Sequence, residues 1–239
     1  MVSTEHIVAS FDRDLEAIQA TIMRMGGLVE DAIAKSAQAL ESRDPDLARS
    51  VREGDAAIDA LDEQINEEAA RIIAQRQPIA TDLRTVLSVF RISSNLERIG
   101  DYAKNIAKRS EVIMDHPPVN GTGASLRRMA RQVELMLKDV LDAYIQRDAD
   151  LAADVRERDL EVDQMYSALF REYLTFMMED PRNITACMHL HFMAKNIERM
   201  GDHVTTIAEQ VIYLASGEYP EDDRVKGDRS PYDAGGAET

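Results

Sequence analysis

Between residues 12 and 42, apolar side chains recur at Leu15, Ile18, Ile22, Met25, Val29, Ala32 and Leu40. Steps of mostly three and four align them in one stripe, the pattern of a helix buried along a single face. Arg43-Asp44-Pro45-Asp46 interrupts the stripe, and a proline in the first turn is a helix start signal. A second stripe follows at Leu47, Val51, Gly54, Ile58, Leu61, Ile65, Ala69 and Ile72, ending before Gln77-Pro78. A third runs through Val89, Ile92, Leu96, Ile99, Ala103 and Ile106. Each predicted helix is about 30 residues, or ~45 Å long at 1.5 Å per residue.

His116-Pro117-Pro118-Val119-Asn120-Gly121-Thr122-Gly123 reads as a linker. After it the three-stripe order begins again. Leu126, Met129, Val133, Met136, Val140 and Tyr144 mark a fourth helix, and Leu151, Val155, Val162, Met165, Leu169 and Phe176 a fifth. Met193, Ile197, Met200, Val204, Ile207, Val211 and Leu214 mark a sixth. The halves also repeat residue by residue. Asn95-Leu96-Glu97-Arg98-Ile99-Gly100-Asp101 returns as Asn196-Ile197-Glu198-Arg199-Met200-Gly201-Asp202. Val51-Arg52-Glu53 with Asp55 and Asp59 returns as Val155-Arg156-Glu157 with Asp159 and Asp163. Arg43-Asp44-Pro45-Asp46 returns as Arg147-Asp148-Ala149-Asp150. An all-α fold of two tandem, sequence-related three-helix bundles is expected. The boundaries are an N-terminal segment 1–11, a first bundle 12–115, a linker 116–123, a second bundle 124–216 and an acidic, aperiodic, disordered tail 217–239.

Composition agrees with long helices. Hydrophobic residues are 44% and aromatics 5%, with 11 Gly, 7 Pro and no Trp in 239 residues, which argues against a β-sandwich or doubly wound sheet. The formal net charge is -16, from 44 Asp and Glu against 28 Lys and Arg. Seven acids and three bases from Gly217 onward place -4 of it in the tail. Such a balance speaks against nucleic acid as a partner, because phosphate backbones are held by Lys and Arg. The single cysteine, Cys187, has no internal disulfide partner. The opening residues lack a basic and then apolar leader, and no window is apolar over about 18 residues. A cytoplasmic protein is expected.

The charge that remains contains a pattern. Each half carries two acidic pairs at i, i+4: Asp55/Asp59 and Glu97/Asp101, then Asp159/Asp163 and Glu198/Asp202. That spacing stacks like charges on one helix face and costs a few tenths of a kcal/mol per pair, about 0.2–0.5. One such pair is ordinary on a solvated helix. Four in matching phase invite a cation. At ~100° per residue, Asp55 and Asp59 lie at the shoulder of their core stripe. Glu97 and Asp101 lie nearly opposite theirs, on a line with Leu83, Leu87 and Phe90, so an outer groove of each bundle is the expected meeting place. Oxygen donors without cysteine suit Mg, Ca, Mn or oxidised Fe rather than structural Zn. Arg98 and Arg199 read as surface ion-pair partners, and Gly100 and Gly201 as points of close helix approach or access to the acids. His189, His191 and His203 read as structural or exposed, and the Met residues as core. There is no P-loop, nucleophile elbow, HExxH or Glu-x-x-His signature.

The run Arg76-Gln77-Pro78-Ile79-Ala80-Thr81-Asp82-Leu83-Arg84 resembles the PhoU family, as does the stretch from Asn95 through Asn105 to Arg109. The second half resembles it through Asn196 to Leu214 and the closing Ser216-Gly217-Glu218. The resemblance covers about residues 10–218. It implies two similar three-helix bundles, homodimers or larger oligomers, and metal clusters, with Fe, Mn or Mg the expected ions. The ligands it implies are Asp55, Asp59, Glu97 and Asp101, with Asp159, Asp163, Glu198 and Asp202 in the second bundle. The second copy has Thr206 in place of Asn105 and lacks the proline-led turn, so the first site is expected to be the better one.

The resemblance further implies a non-enzymatic adaptor of phosphate uptake and a negative regulator of the phosphate-starvation response. Its partners would be the ATPase subunit of the phosphate ABC transporter and a phosphate-sensing histidine kinase, with membrane contact only through them. Two other readings of the residues are a metal-dependent phosphoester hydrolase and a purely structural helical module.

Overall fold

The helix breaks are built twice from the same parts. Arg43 and Arg147 adopt left-handed backbone (φ 53 in both), which ends one helix. Asp44 and Asp148 follow in extended conformation, and each side chain accepts hydrogen bonds from the backbone N–H groups two and three residues on, all at 3.0 Å. This is an N-cap, with Pro45 next to it in the first copy.

The computed structural model describes residues 2–119 and 121–220, with side chains from residue 11 onward except residue 12. It contains six long helices: α1 (Val2–Ser42), α2 (Pro45–Arg76), α3 (Ala80–Ile113), α4 (Thr122–Gln146), α5 (Ala149–Glu179) and α6 (Ile184–Ser216). A 3-10 turn, Pro181–Asn183, precedes α6. Among the described residues there is no strand, and no helix is long and apolar enough to cross a membrane.

The chain folds as two tandem three-helix bundles, α1–α3 and α4–α6, and the two share a centre. α1 packs on α3 and α4, and α6 packs on the same two helices, so α1, α3, α6 and α4 form a closed ring of four. α2 lies outside this ring against α1 and α3, and α5 lies outside it against α4 and α6. The core is one continuous cluster through both halves, including Ile22 and Met25 of α1, Leu96 of α3, Met136 of α4 and Ile197 of α6. Each fully buried aliphatic of this size contributes roughly 1.5–3 kcal/mol.

Three differences from the sequence reading concern the ends and one stripe position. The first helix starts at Val2 rather than at residue 12, and buried Phe11 continues the stripe of Ile18 two turns earlier. Gly54, read as a stripe position, is exposed. The expected disordered tail is described only at 217–220, and the rest lies outside the described residues. Gly217 adopts left-handed backbone (φ 89) and ends α6. Tyr219 then stacks on Tyr213 at 4.2 Å, and its hydroxyl takes a 2.8 Å hydrogen bond from Arg91 of α3.

Candidate functional site

The repeated acids of each half meet across a seam between the outer helix and one helix of the central ring. In the first seam, α2 and α3 approach closely at Gly100, where a Cβ would stand 3.0 Å from Ile58 Cδ1 and 3.9 Å from Asp55 Oδ1. Asp55 is 4% exposed. Its Oδ2 accepts a short hydrogen bond from the ammonium of Lys104, which also stands 3.8 Å from Asp101 Oδ1. One lysine therefore ties an α2 carboxylate to an α3 carboxylate. Glu97 and Asp101 are half-buried and Asp59 is exposed.

The acids of this seam feel one another. Burial, then Asp101, raises the Glu97 carboxyl above its ordinary value, and Asp59 of α2 adds to the effect. Partial desolvation, then Asp55, raises Asp59, with Asp101 of α3 contributing. Lys104 is raised chiefly by its hydrogen bond to Asp55. Arg98 is exposed, 3.6 Å from Glu97 Oε2 and 3.9 Å from Asp101 Oδ2, a surface pairing of little energetic weight.

The second seam is tighter. Asp159 is 1% exposed, Asp163 5% and Glu198 5%, while Asp202 is half-buried. A Cβ at Gly201 would lie 2.5 Å from Asp159 Oδ1, so the missing side chain of α6 is the space this carboxylate fills. Glu198 Oε1 accepts a 2.7 Å hydrogen bond from Lys195, and its Oε2 is buried without a hydrogen-bond partner. Burial raises the Glu198 carboxyl, Lys195 opposes this, and Asp202 and Asp163 add to it. The expected outer groove thus holds only in part: three of the four acids here lie inside the α5–α6 interface. Helical phase locates a residue relative to its own stripe, whereas Gly201 lets the neighbouring helix close over the acids.

The α3 and α6 helices that carry the two seams touch each other beside the acids. His203, next to Asp202, donates from Nδ1 to Asn95 Oδ1 at 2.7 Å, and its ring lies 5.6 Å from that of Tyr102. Burial holds its imidazole below the ordinary value, with the Asp202 charge opposing. His191 packs among Tyr166, Phe170 and Phe192, and His189 Nδ1 lies 3.5 Å from Arg109. Lys104, Lys195 and Asn95 escaped the sequence reading as site residues. The signal for the lysines was the i, i+3 spacing to Asp101 and Glu198.

All eight predicted ligands are therefore at the two seams. A set of oxygen donors, a glycine-made recess and a buried carboxylate oxygen without a hydrogen-bond partner fit a hard cation in chemistry. In arrangement each seam instead has an ammonium on a buried carboxylate, Lys104 on Asp55 and Lys195 on Glu198. Among the described residues, no three His, Cys, Asp or Glu side chains are grouped so as to hold an ion.

Comparison with known proteins places both halves together. The PhoU domain matches this chain twice, over residues 22–110 and 126–211. A phosphate-specific transport system accessory protein PhoU homolog of Rhizobium meliloti is 45% identical over 227 residues, 95% of this chain and 96% of that protein. A homolog of the same description from Caulobacter vibrioides is 47% identical over 215 residues, 90% of this chain and 94% of its own. The crystal structure of PhoU from Pseudomonas aeruginosa superposes with a TM-score of 0.84 at 39% identity, covering 87% of this chain and all (100%) of that one. That of the phosphate transport system regulatory protein PhoU from Streptococcus pneumoniae gives 0.81 at 29% identity, over 88% and 99%.

Proposed function

This chain belongs to the PhoU family, and we propose that within phosphate uptake it is a regulatory adaptor rather than a catalyst. Its relatives are accessory or regulatory proteins of phosphate transport. In the finer reading it restrains the phosphate-starvation response from the cytoplasm. It does so by linking the ATPase subunit of the phosphate ABC transporter to a sensor histidine kinase, as a homodimer or larger oligomer.

The observation that carries the reading is that the family match spans both halves and contains all eight acids of the two seams. Asp55, Asp59, Glu97 and Asp101 would hold cations in one seam, and Asp159, Asp163, Glu198 and Asp202 in the other. A bound cation would neutralise the carboxylates and cross-link the outer helix to the ring. The seam faces then become firm enough to present to a partner, and a cation that binds the folded form stabilises it.

Capture of tagged protein from phosphate-replete cells tests the adaptor role. Recovery of the transporter ATPase or the kinase is expected, and loss of the gene should switch on starvation genes despite ample phosphate. A chain that captures neither and whose loss leaves those genes silent is no such adaptor. Thermal unfolding with chelator and then with Mn, Mg or Fe tests the seams. The midpoint should rise with cation, and Asp101→Ala with Asp202→Ala should abolish the rise.

A further inference from the structure

The most informative groups in the seams are the positive ones. In the first, the Lys104 ammonium reaches Asp55 across the helix interface and Asp101 along its own helix. In the second, the Lys195 ammonium sits on Glu198 Oε1. Each stands where a cation would have to sit to touch both helices or the buried acid.

The two lysines are not copies of each other. The residue equivalent to Lys104 in the second half is Thr205, and the residue equivalent to Lys195 in the first is Ser94. Lys104 follows the acidic pair of its helix, whereas Lys195 precedes its own. Lys104 bridges Asp55 and Asp101 and Lys195 pairs with Glu198, so each half seats an ammonium on a buried carboxylate from opposite sides of the motif. Surface charge scattered at random would not be expected to do so at both seams.

Resting on the reading that the seams bind cations, we infer that Lys104 and Lys195 are tethered counter-ions that hold each seam closed and compete with the metal for it. A side-chain ammonium is present at a high effective concentration and needs no free ion. It donates at most three hydrogen bonds, whereas a divalent ion gathers about six oxygens. Only a multivalent cation displaces it at a gain. The apparent affinity is the intrinsic one reduced by the fraction of molecules whose lysine has swung away. Both lysines have somewhere to go. Lys104 is 42% exposed and turns to water. The Lys195 ammonium already lies 5.0 Å from the ring centre of Tyr166, a cation–π seat that remains when Glu198 is taken.

The test is calorimetric titration of the full chain with Mn2+, comparing wild type with Lys104→Met and Lys195→Met, alongside melting in chelator. Each Met variant should bind Mn2+ at its own seam roughly ten-fold more tightly or better, since a competing charge is gone. It should also melt below wild type in chelator and regain more on adding Mn2+. Lys104→Gln, which keeps a hydrogen bond to Asp55 without the charge, should tighten binding too and serves if a Met variant does not fold. If wild type binds Mn2+ and the variants bind it no more tightly, the counter-ion role is overturned and the metal reading stands. If neither wild type nor variant binds Mn2+, the metal reading falls and this inference with it.

Discussion

Gly201→Ala probes the link between helix approach and carboxylate placement. A glycine within a helix is less favourable than alanine by about 1 kcal/mol, so with nothing else involved the substitution stabilises. Here the new methyl would stand 2.5 Å from Asp159 Oδ1 and 3.5 Å from Val162 Cγ1. The carboxylate would have to retreat by about an ångström from a site where it is 1% exposed. Overpacking of this kind costs about 1–3 kcal/mol, and the charge on the displaced group places it toward the upper end. The net expectation is a loss of ~1–2 kcal/mol, or a fall in Tm of roughly 3–6 °C for a chain of this size. Gly54→Ala is the control, because nothing lies within 4 Å of its added Cβ, and it should gain about 1 kcal/mol. Gly100→Ala should fall between, since the atom in the way, at 3.0 Å, is the end of the flexible Ile58. Calorimetric melting in chelator ranks the three. A Gly201→Ala protein as stable as Gly54→Ala would refute the claim that this glycine exists to seat Asp159.

Other consequences are equally open to measurement. Asp44→Ala and Asp148→Ala should each cost about 1 kcal/mol, and by similar amounts, because the two caps make the same pair of 3.0 Å bonds. Arg147→Gly should stabilise by about 1 kcal/mol by relieving a left-handed residue. Arg43→Gly should not, since Arg43 also donates to the carbonyls of Met114 at 2.6 Å and His116 at 2.8 Å, closing the C-terminal end of α3. Burial, then the Lys195 charge, holds the His191 imidazole below its ordinary 6.5. The unfolded chain therefore takes a proton that the folded one refuses. The stability from this residue is complete above about pH 6.5 and is lost as pH falls toward the depressed folded value. Denaturant unfolding should show a shallower slope in this window for His191→Phe, though His189 and His203, also depressed, leave some slope behind.

The six helices were legible because each break carries its own chemistry. Arg43-Asp44-Pro45 and Arg147-Asp148 announce a left-handed stop and a cap within two residues. The ring of four was not, because a stripe states which face is buried and not which helix covers it. α1 and α4 each serve neighbours in both halves, and the sign of this was the breadth of their buried surface. Among the acids, the i, i+4 spacing told which helix each belongs to and that the pattern occurs twice. It could not say that Asp159, Asp163 and Glu198 are covered while Asp59 is exposed, since that depends on how closely α5 meets α6. The lysines were hidden for a similar reason: Lys104 matters through Asp55, far away in sequence and on another helix.

The ring of α1, α3, α6 and α4 has an ancestral reading. Two matching three-helix units joined through the same pair of helices are what a symmetric pair of half-length chains would have built. In such a pair every substitution is made twice. Once the units share one polypeptide, each flank is free to change alone, and the differences between them record this: Tyr102 against His203, Asn105 against Thr206, Ser94 against Lys195. Two seams built from one repeated motif are thereby free to diverge independently within a single molecule.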